Sequence, residues 1–167
     1  MGLFDIFSRK PTSTKIEKAA KRMLNEHQQQ QIRQEALQEL VDFNSPESIS
    51  ALIRRLGVNF RDTIKNEQEK RWVSSKLVEH FGEQAVEPLI GFIKTDQTIS
   101  AAIRVLAKLI SAERLVGLLI ESLVQYPPED HRTISARMQL IDALADLQDD
   151  RIVPAVAPYT MDHDDDI

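Results

Sequence analysis

The chain has 167 residues, 42 % of them apolar and only 5 % aromatic, which is enough to bury the core of one domain unaided. With five glycines and a vocabulary dominated by Ala, Leu, Ile, Glu, Gln, Lys and Arg, the composition excludes a turn-rich sheet protein and favours an all-α fold. The absence of cysteine excludes disulfides, thiol nucleophiles and Cys-ligated zinc or iron–sulfur centres, and a net charge of −5 argues against a protein that coats nucleic acid.

Residues 1–12 read as an amphipathic tail, with Leu3, Phe4, Ile6 and Phe7 beside Arg9 and Lys10. Residues 1–10 are able to touch a membrane surface weakly, although docking onto the first helix is simpler. Position 6 is Ile where a myristoylation motif needs Ser or Thr. No run approaches the roughly 18 apolar residues that span a bilayer, and the first ten residues lack the pattern of a secretory signal. The expectation is a soluble, cytoplasmic protein.

Residues 13–167 read as one repeat domain. A helix falls within 14–26, and Gln28 to Gln31 continues or hinges it without chemistry of its own. Paired helices follow near 30–43 and 47–60, where Ser45-Pro46-Glu47 supplies an N-cap, an N1 proline and an acid that complements the helix dipole. Arg61 to Gln68 reads as a surface excursion. The next pair lies near 69–81 and 84–94, with Gly82 ending its first helix. A third lies near 99–110 and 112–125, capped in the middle by Ser111 and stopped by Pro127-Pro128. A fourth lies near 134–147 and 150–160, after which Asp162-His163-Asp164-Asp165-Asp166-Ile167 resembles a turn and the first residue of a further helix. The expectation is a chain that runs on past Ile167, because stacked repeats need a polar cap at each end.

These pairs are copies of one unit. Each second helix opens on an aligned tetrad: Ile49-Ser50-Ala51-Leu52, Val86-Glu87-Pro88-Leu89, Leu115-Val116-Gly117-Leu118 and Ile152-Val153-Pro154-Ala155, offset by 37, 29 and 37 residues. Leu40, Leu77 and Leu106 each stand nine residues before the tetrad, and Leu144 stands eight before it. Ala36, Val73, Ala102 and Leu140 lie one helical turn earlier, so each first helix buries one stripe. Two such stripes meeting across a short turn make an αα-hairpin.

The stretch Arg137 to Ala157, with its Arg-led first helix, Asp-rich turn and Ile-Val-Pro opening, resembles the HEAT-repeat family, especially the bacterial phycobilisome-lyase HEAT-like repeats. Phe81 to Ile90 is similar. The resemblance covers about residues 30–167 and implies an α-solenoid, a right-handed superhelix of about four HEAT-like hairpins preceded by an N-terminal helix. HEAT-like proteins serve as scaffolds, adaptors, chromophore lyases, metal hydroxylases and DNA glycosylases, so the fold does not select among these.

The hydroxylases use repeated His-Glu pairs, and none occurs here. His27, His80, His131 and His163 are scattered, and His80 reads as a helix-surface or core-edge residue. The acidic tail lacks the Gly turn and final Glu of a calcium loop, so no metal ligand is assigned. Trp72 beside Lys70 and Arg71 has the look of a base-stacking platform, but its place before Val73 and Leu77 makes it a core residue. Glu87, Asp96, Glu121 and Asp146 are compatible with a tetrapyrrole pocket and equally with solvated faces. No catalytic residue and no cofactor is assigned.

Charge is polarised along the chain. Residues 1–71 carry 13 Lys/Arg against 10 Asp/Glu, and residues 72–167 carry 8 against 16. The reading is a non-enzymatic scaffold or adaptor presenting a groove, lined mainly by second helices, to a protein partner. For an acidic partner, Arg54, Arg55 and Arg61 are the expected contact residues. A bilin lyase or chaperone is the second reading, and a nucleic-acid or DNA-repair module the third.

Overall fold

The computed structural model describes residues 12–161, and all regular structure among them is helical, with no strand. The expectations for residues 1–11 and for the acidic tail from Asp162 lie outside the described residues. The chain folds as α1 (Ser13–Leu24), α2 (Gln30–Phe43), α3 (Pro46–Leu56), α4 (Thr63–Lys76), α5 (Val86–Thr95), α6 (Ser100–Leu106), α7 (Ala112–Val124), α8 (Ile134–Ala145) and α9 (Ile152–Val156). No helix among them is long and apolar enough to cross a membrane.

The repeated leucine register is the core. Leu40, Leu77, Leu106 and Leu144 are buried, as are Ala36, Val73, Ala102 and Leu140 one turn before them. Three tetrads open on a buried residue, Ile49, Val86 and Leu115, and Ile152 is partly buried against the same cluster. The helices lie in two rows. α1, α3, α5, α7 and α9 pack in succession in one row, and α2, α4, α6 and α8 pack in succession in the other. One continuous apolar cluster fills the space between the rows.

Local signals set most boundaries. Ser45 Oγ accepts the Ser48 N–H at 3.1 Å while Ser48 Oγ accepts the Ser45 N–H at 3.0 Å, a reciprocal cap that starts α3 at Pro46. Ser111 Oγ accepts from the Arg114 N–H and starts α7. Gly82 has φ of 54° and ψ of −123°, a conformation open to glycine, and it ends the helix as expected.

Several boundaries differ from the sequence reading: α3 and α6 each end four residues before the expected 60 and 110. The stretch 61–68 is not an excursion: Asp62 Oδ1 accepts the Lys65 N–H at 3.1 Å and starts α4 at Thr63, six residues early. The first two turns of α4 are polar on nearly every face, so hydrophobic periodicity carries no sign of them. The same helix then widens into a π turn over Leu77–Phe81 before Gly82. The second helix of the last pair is also shorter than expected, with a tighter 3-10 segment over Ala157–Met161. Tyr159 holds that segment to α7, its hydroxyl donating to the Leu123 carbonyl at 2.7 Å.

Candidate partner-binding groove

Seven residues before each buried leucine, two turns back on the same face, stand Arg33, Lys70, Ile99 and Arg137. All four are buried. Three of them are cations, and a buried cation requires polar partners. In each case these include the loop just upstream. Arg33 donates to the Glu26 and Gln28 carbonyls. Lys70 Nζ donates to Asn59 Oδ1 at 2.6 Å. Arg137 donates to the Pro127 and Asp130 carbonyls at 2.9 and 2.7 Å. A cation at this register position therefore ties each first helix to the joint before it. At the third copy Ile99 cannot do so, and Gln139 of α8 instead accepts the Ile99 and Ser100 N–H groups on one oxygen, capping α6 from a neighbouring repeat.

The buried arginines differ from Lys70 in how their charge is met. Glu69, only 2 % exposed, accepts from Arg33 on one carboxylate oxygen and from Arg55 on the other. The Arg55 guanidinium lies 4.0 Å from the Phe60 ring centroid, with Arg33 at 5.1 Å from the same ring. This clamp binds α2, α3 and α4 together, and burial pushes the Arg55 pKa down, against the opposing effect of Glu69. Lys70 is 7 % exposed and has no ion pair among the described residues. Burial pushes its ammonium below the ordinary lysine value of 10.5. The Arg55 and Arg104 charges act in the same sense and Glu67 in the opposite one.

Lys70 lines a groove of about 490 Å³ between α4 and α6. Arg71 on α4, Arg104 on α6 and Lys108 just after it are exposed, line the same groove and have no ion pair among the described residues. Glu67 and Glu79 are the acidic residues of its lining. Val78, Ala101 and Val105 supply apolar surface. Ser74 and Ser75 stand between the cations, their hydroxyls donating to the Lys70 and Trp72 carbonyls at 2.7 and 2.8 Å. Val78 and Glu79 of the lining lie on the π turn, and π turns recur at functional sites.

In the opposite row several cations of α3, α5 and α7 are paired within the row. Arg54 pairs with Glu17 across α1 and α3 at 3.3 Å, Arg114 with Glu87 at 3.2 Å and Lys94 with Glu121 at 2.8 Å across α5 and α7. Arg151 donates to the Glu113 carbonyl and pairs with Asp149. The second helices α3, α5 and α7 thus carry cations that are paired across the row, whereas Arg71, Arg104 and Lys108 on the first helices α4 and α6 and just after them are not paired among the described residues.

The three arginines expected to share a contact surface are separated. Arg54 is half-exposed on α3. Arg55 is fully buried and its donors go to Glu69, Asn66 and the Val58 carbonyl, which corrects its expected place on a partner surface. Neighbours on a helix point about 100° apart, and Arg55 falls on the stripe of Ala51 and Leu52. Arg61 is exposed at the α3–α4 joint, beside a hollow of about 380 Å³ that also contains His27, Asp62 and Lys65. Trp72 is partly buried against the core with Lys76 5.4 Å from its ring centroid, and His80 is exposed, edge-on to Phe81. Glu87 and Glu121 are held by the pairs between α5 and α7, and Asp96 accepts from the Thr98 N–H. Among the described residues no three His, Asp or Glu side chains gather as a metal site would require.

Arg104 and Lys108 were absent from the sequence reading, yet a signal exists. Residues 97–112 hold these two cations, one helical turn apart, and no acidic residue, inside the acidic half of the chain. No protein-family model matches the chain, and neither the curated proteins nor the solved structures yield a match.

Proposed function

We propose that the chain is a HEAT-like repeat module of the solenoid type that binds a partner protein and performs no chemistry itself. The two-row order of the helices supports the repeat reading, as do the equivalent positions 33, 70, 99 and 137, which recur at one depth in each unit. A cysteine-free chain suits a reducing compartment such as the cytoplasm.

One observation carries the binding reading. The α4–α6 groove gathers Lys70, Arg71, Arg104 and Lys108 with no ion pair among the described residues, and Lys70 is buried there. Like charges one helical turn apart destabilise a helix by about 0.2–0.5 kcal/mol, and a buried lysine without a counter-ion costs more. A buried lysine beside three exposed cations, on a helix that the Glu69 clamp ties to α2 and α3, marks a surface shaped for a partner rather than for the fold. A preformed surface also loses little entropy on binding.

Affinity capture with the full chain from its native extract, at two salt concentrations, tests this reading. The expected result is a reproducible protein partner that weakens as salt screens the groove. An eluate with no protein partner, or one carrying a visible chromophore in its place, overturns it.

A further inference from the structure

We infer that the α4–α6 groove takes an acidic peptide segment of the partner, bound extended with its carboxylates on the groove's cations and its backbone N–H groups on Ser74 and Ser75. This rests on the module reading above and adds the chemistry of the partner.

Length, charge and hydrogen-bonding sense all bear on the occupant. From Lys70 to Val78 is eight helical steps, about 12 Å at 1.5 Å each, which matches three to four residues of extended chain at about 3.3 Å. Along that length Lys70 faces Arg104 across the groove at one end, to judge by their mutual charge effect, and Lys108 extends the α6 wall by one turn. Two carboxylates spaced along a short peptide meet cations at both places. Asn59 takes one of the three Lys70 donors, and an ammonium carries three.

The serines distinguish a peptide from a phosphate backbone. Both hydroxyl hydrogens are committed to backbone carbonyls of α4, so the oxygens offer only lone pairs to a ligand. Glu67 and Glu79 likewise accept and do not donate. Phosphate oxygens only accept, so a nucleic-acid strand meets acceptors and negative charge between the cations. A peptide brings its own N–H donors to those acceptors. The apolar surface of Val78, Ala101 and Val105 then suits small apolar residues alternating with the acidic ones.

The test uses the full chain, a phage-displayed library of random 12-residue peptides, and the variant Arg104→Glu/Lys108→Glu, whose two sites are exposed and have no ion pair among the described residues. Thermal melting by circular dichroism checks that the variant keeps its fold. The wild type should enrich peptides with two or more Asp or Glu residues spaced by one or two small apolar residues. A fluorescein-labelled copy of the most enriched peptide should bind about tenfold or more weakly to the variant, since two attractions become two repulsions. Amide shifts on titration should fall within 67–79 and 101–108. Selected peptides that are not acidic, or that bind the variant equally, overturn the groove assignment while leaving the module reading intact. Tighter binding of a 12-nucleotide oligothymidine on the same amides overturns the peptide assignment in favour of nucleic acid. A wild type that enriches nothing above a blank surface, and captures no partner from extract, overturns both.

Discussion

Glu69→Ala isolates what the buried clamp contributes. Glu69 accepts from Arg33 Nε at 2.9 Å, with a terminal nitrogen of the same guanidinium 2.8 Å away, and from Arg55 Nε and a terminal nitrogen at 3.1 and 3.0 Å, with all three side chains almost fully buried. Truncation leaves two buried guanidiniums beside Phe60 without the carboxylate they share. Breaking a buried pair costs about 3–5 kcal/mol, a large share of the roughly 5–15 kcal/mol that keeps a domain folded. At about 2–4 °C per kcal/mol for a chain of this size, the melting temperature should fall by roughly 6–20 °C. Urea titration followed by far-UV circular dichroism is the assay, with the slope unchanged and the midpoint lowered. The combined change Arg33→Met/Glu69→Leu/Arg55→Met should recover most of the loss, because replacing a whole buried ionic group by apolar side chains is often neutral or stabilising. A loss under about 1 kcal/mol for Glu69→Ala, or a triple variant weaker than the single one, would refute the clamp as the tie between α2, α3 and α4.

Three further outcomes are expected. Gln139→Ala removes the oxygen that caps α6 from α8, so hydrogen exchange at the Ile99 and Ser100 amides should speed up while the α3 amides keep their rates. Gly82→Ala forces a side chain into a backbone region at φ of 54° and ψ of −123°, at a cost of about 1–3 kcal/mol in a denaturation midpoint. The Arg151 side chain and then its backbone N–H hold the Asp149 carboxyl down from 3.8 to about 2. A group with a lowered native pKa contributes stability that is whole above the unfolded value, near pH 4, and fades as pH falls towards 2. Its carboxyl carbon should therefore titrate with a midpoint near 2 by NMR, and Arg151→Ala should return that midpoint towards 3.8.

The core was legible because its signal is periodic and local. Leu40 with Ala36, and its three counterparts, declare one buried face per first helix without knowledge of any neighbour. Caps at Ser45 and Ser111 are equally local. The start of α4 had only Asp62 to mark it, and eight polar residues hid it from any hydrophobic pattern. The π turn was silent because Val73, Leu77 and Phe81 recur every fourth residue in either winding.

The candidate groove was harder to see, for a different reason. Arg55 and Glu69 are 14 residues apart, and Arg33 and Glu69 are 36 apart, so their pairing depends on tertiary packing. Composition ranks every arginine as surface, and only the helical stripe through Ala51 and Leu52 indicates that Arg55 faces inward. Lys70 and Arg104 meet because α4 and α6 are neighbours in one row. The acid-free stretch 97–112 was the one sequence feature that pointed there.

The most direct test of the account is a calorimetric titration of the captured partner against three forms of the full chain: wild type, Arg104→Glu/Lys108→Glu, and Arg54→Glu/Arg61→Glu. The account predicts that the first reversal weakens binding about tenfold or more and that the second, on the other row and at the joint, changes it less than about twofold. Binding lost with Arg54 and Arg61 but kept without Arg104 and Lys108 would contradict the account and move the partner to the opposite face.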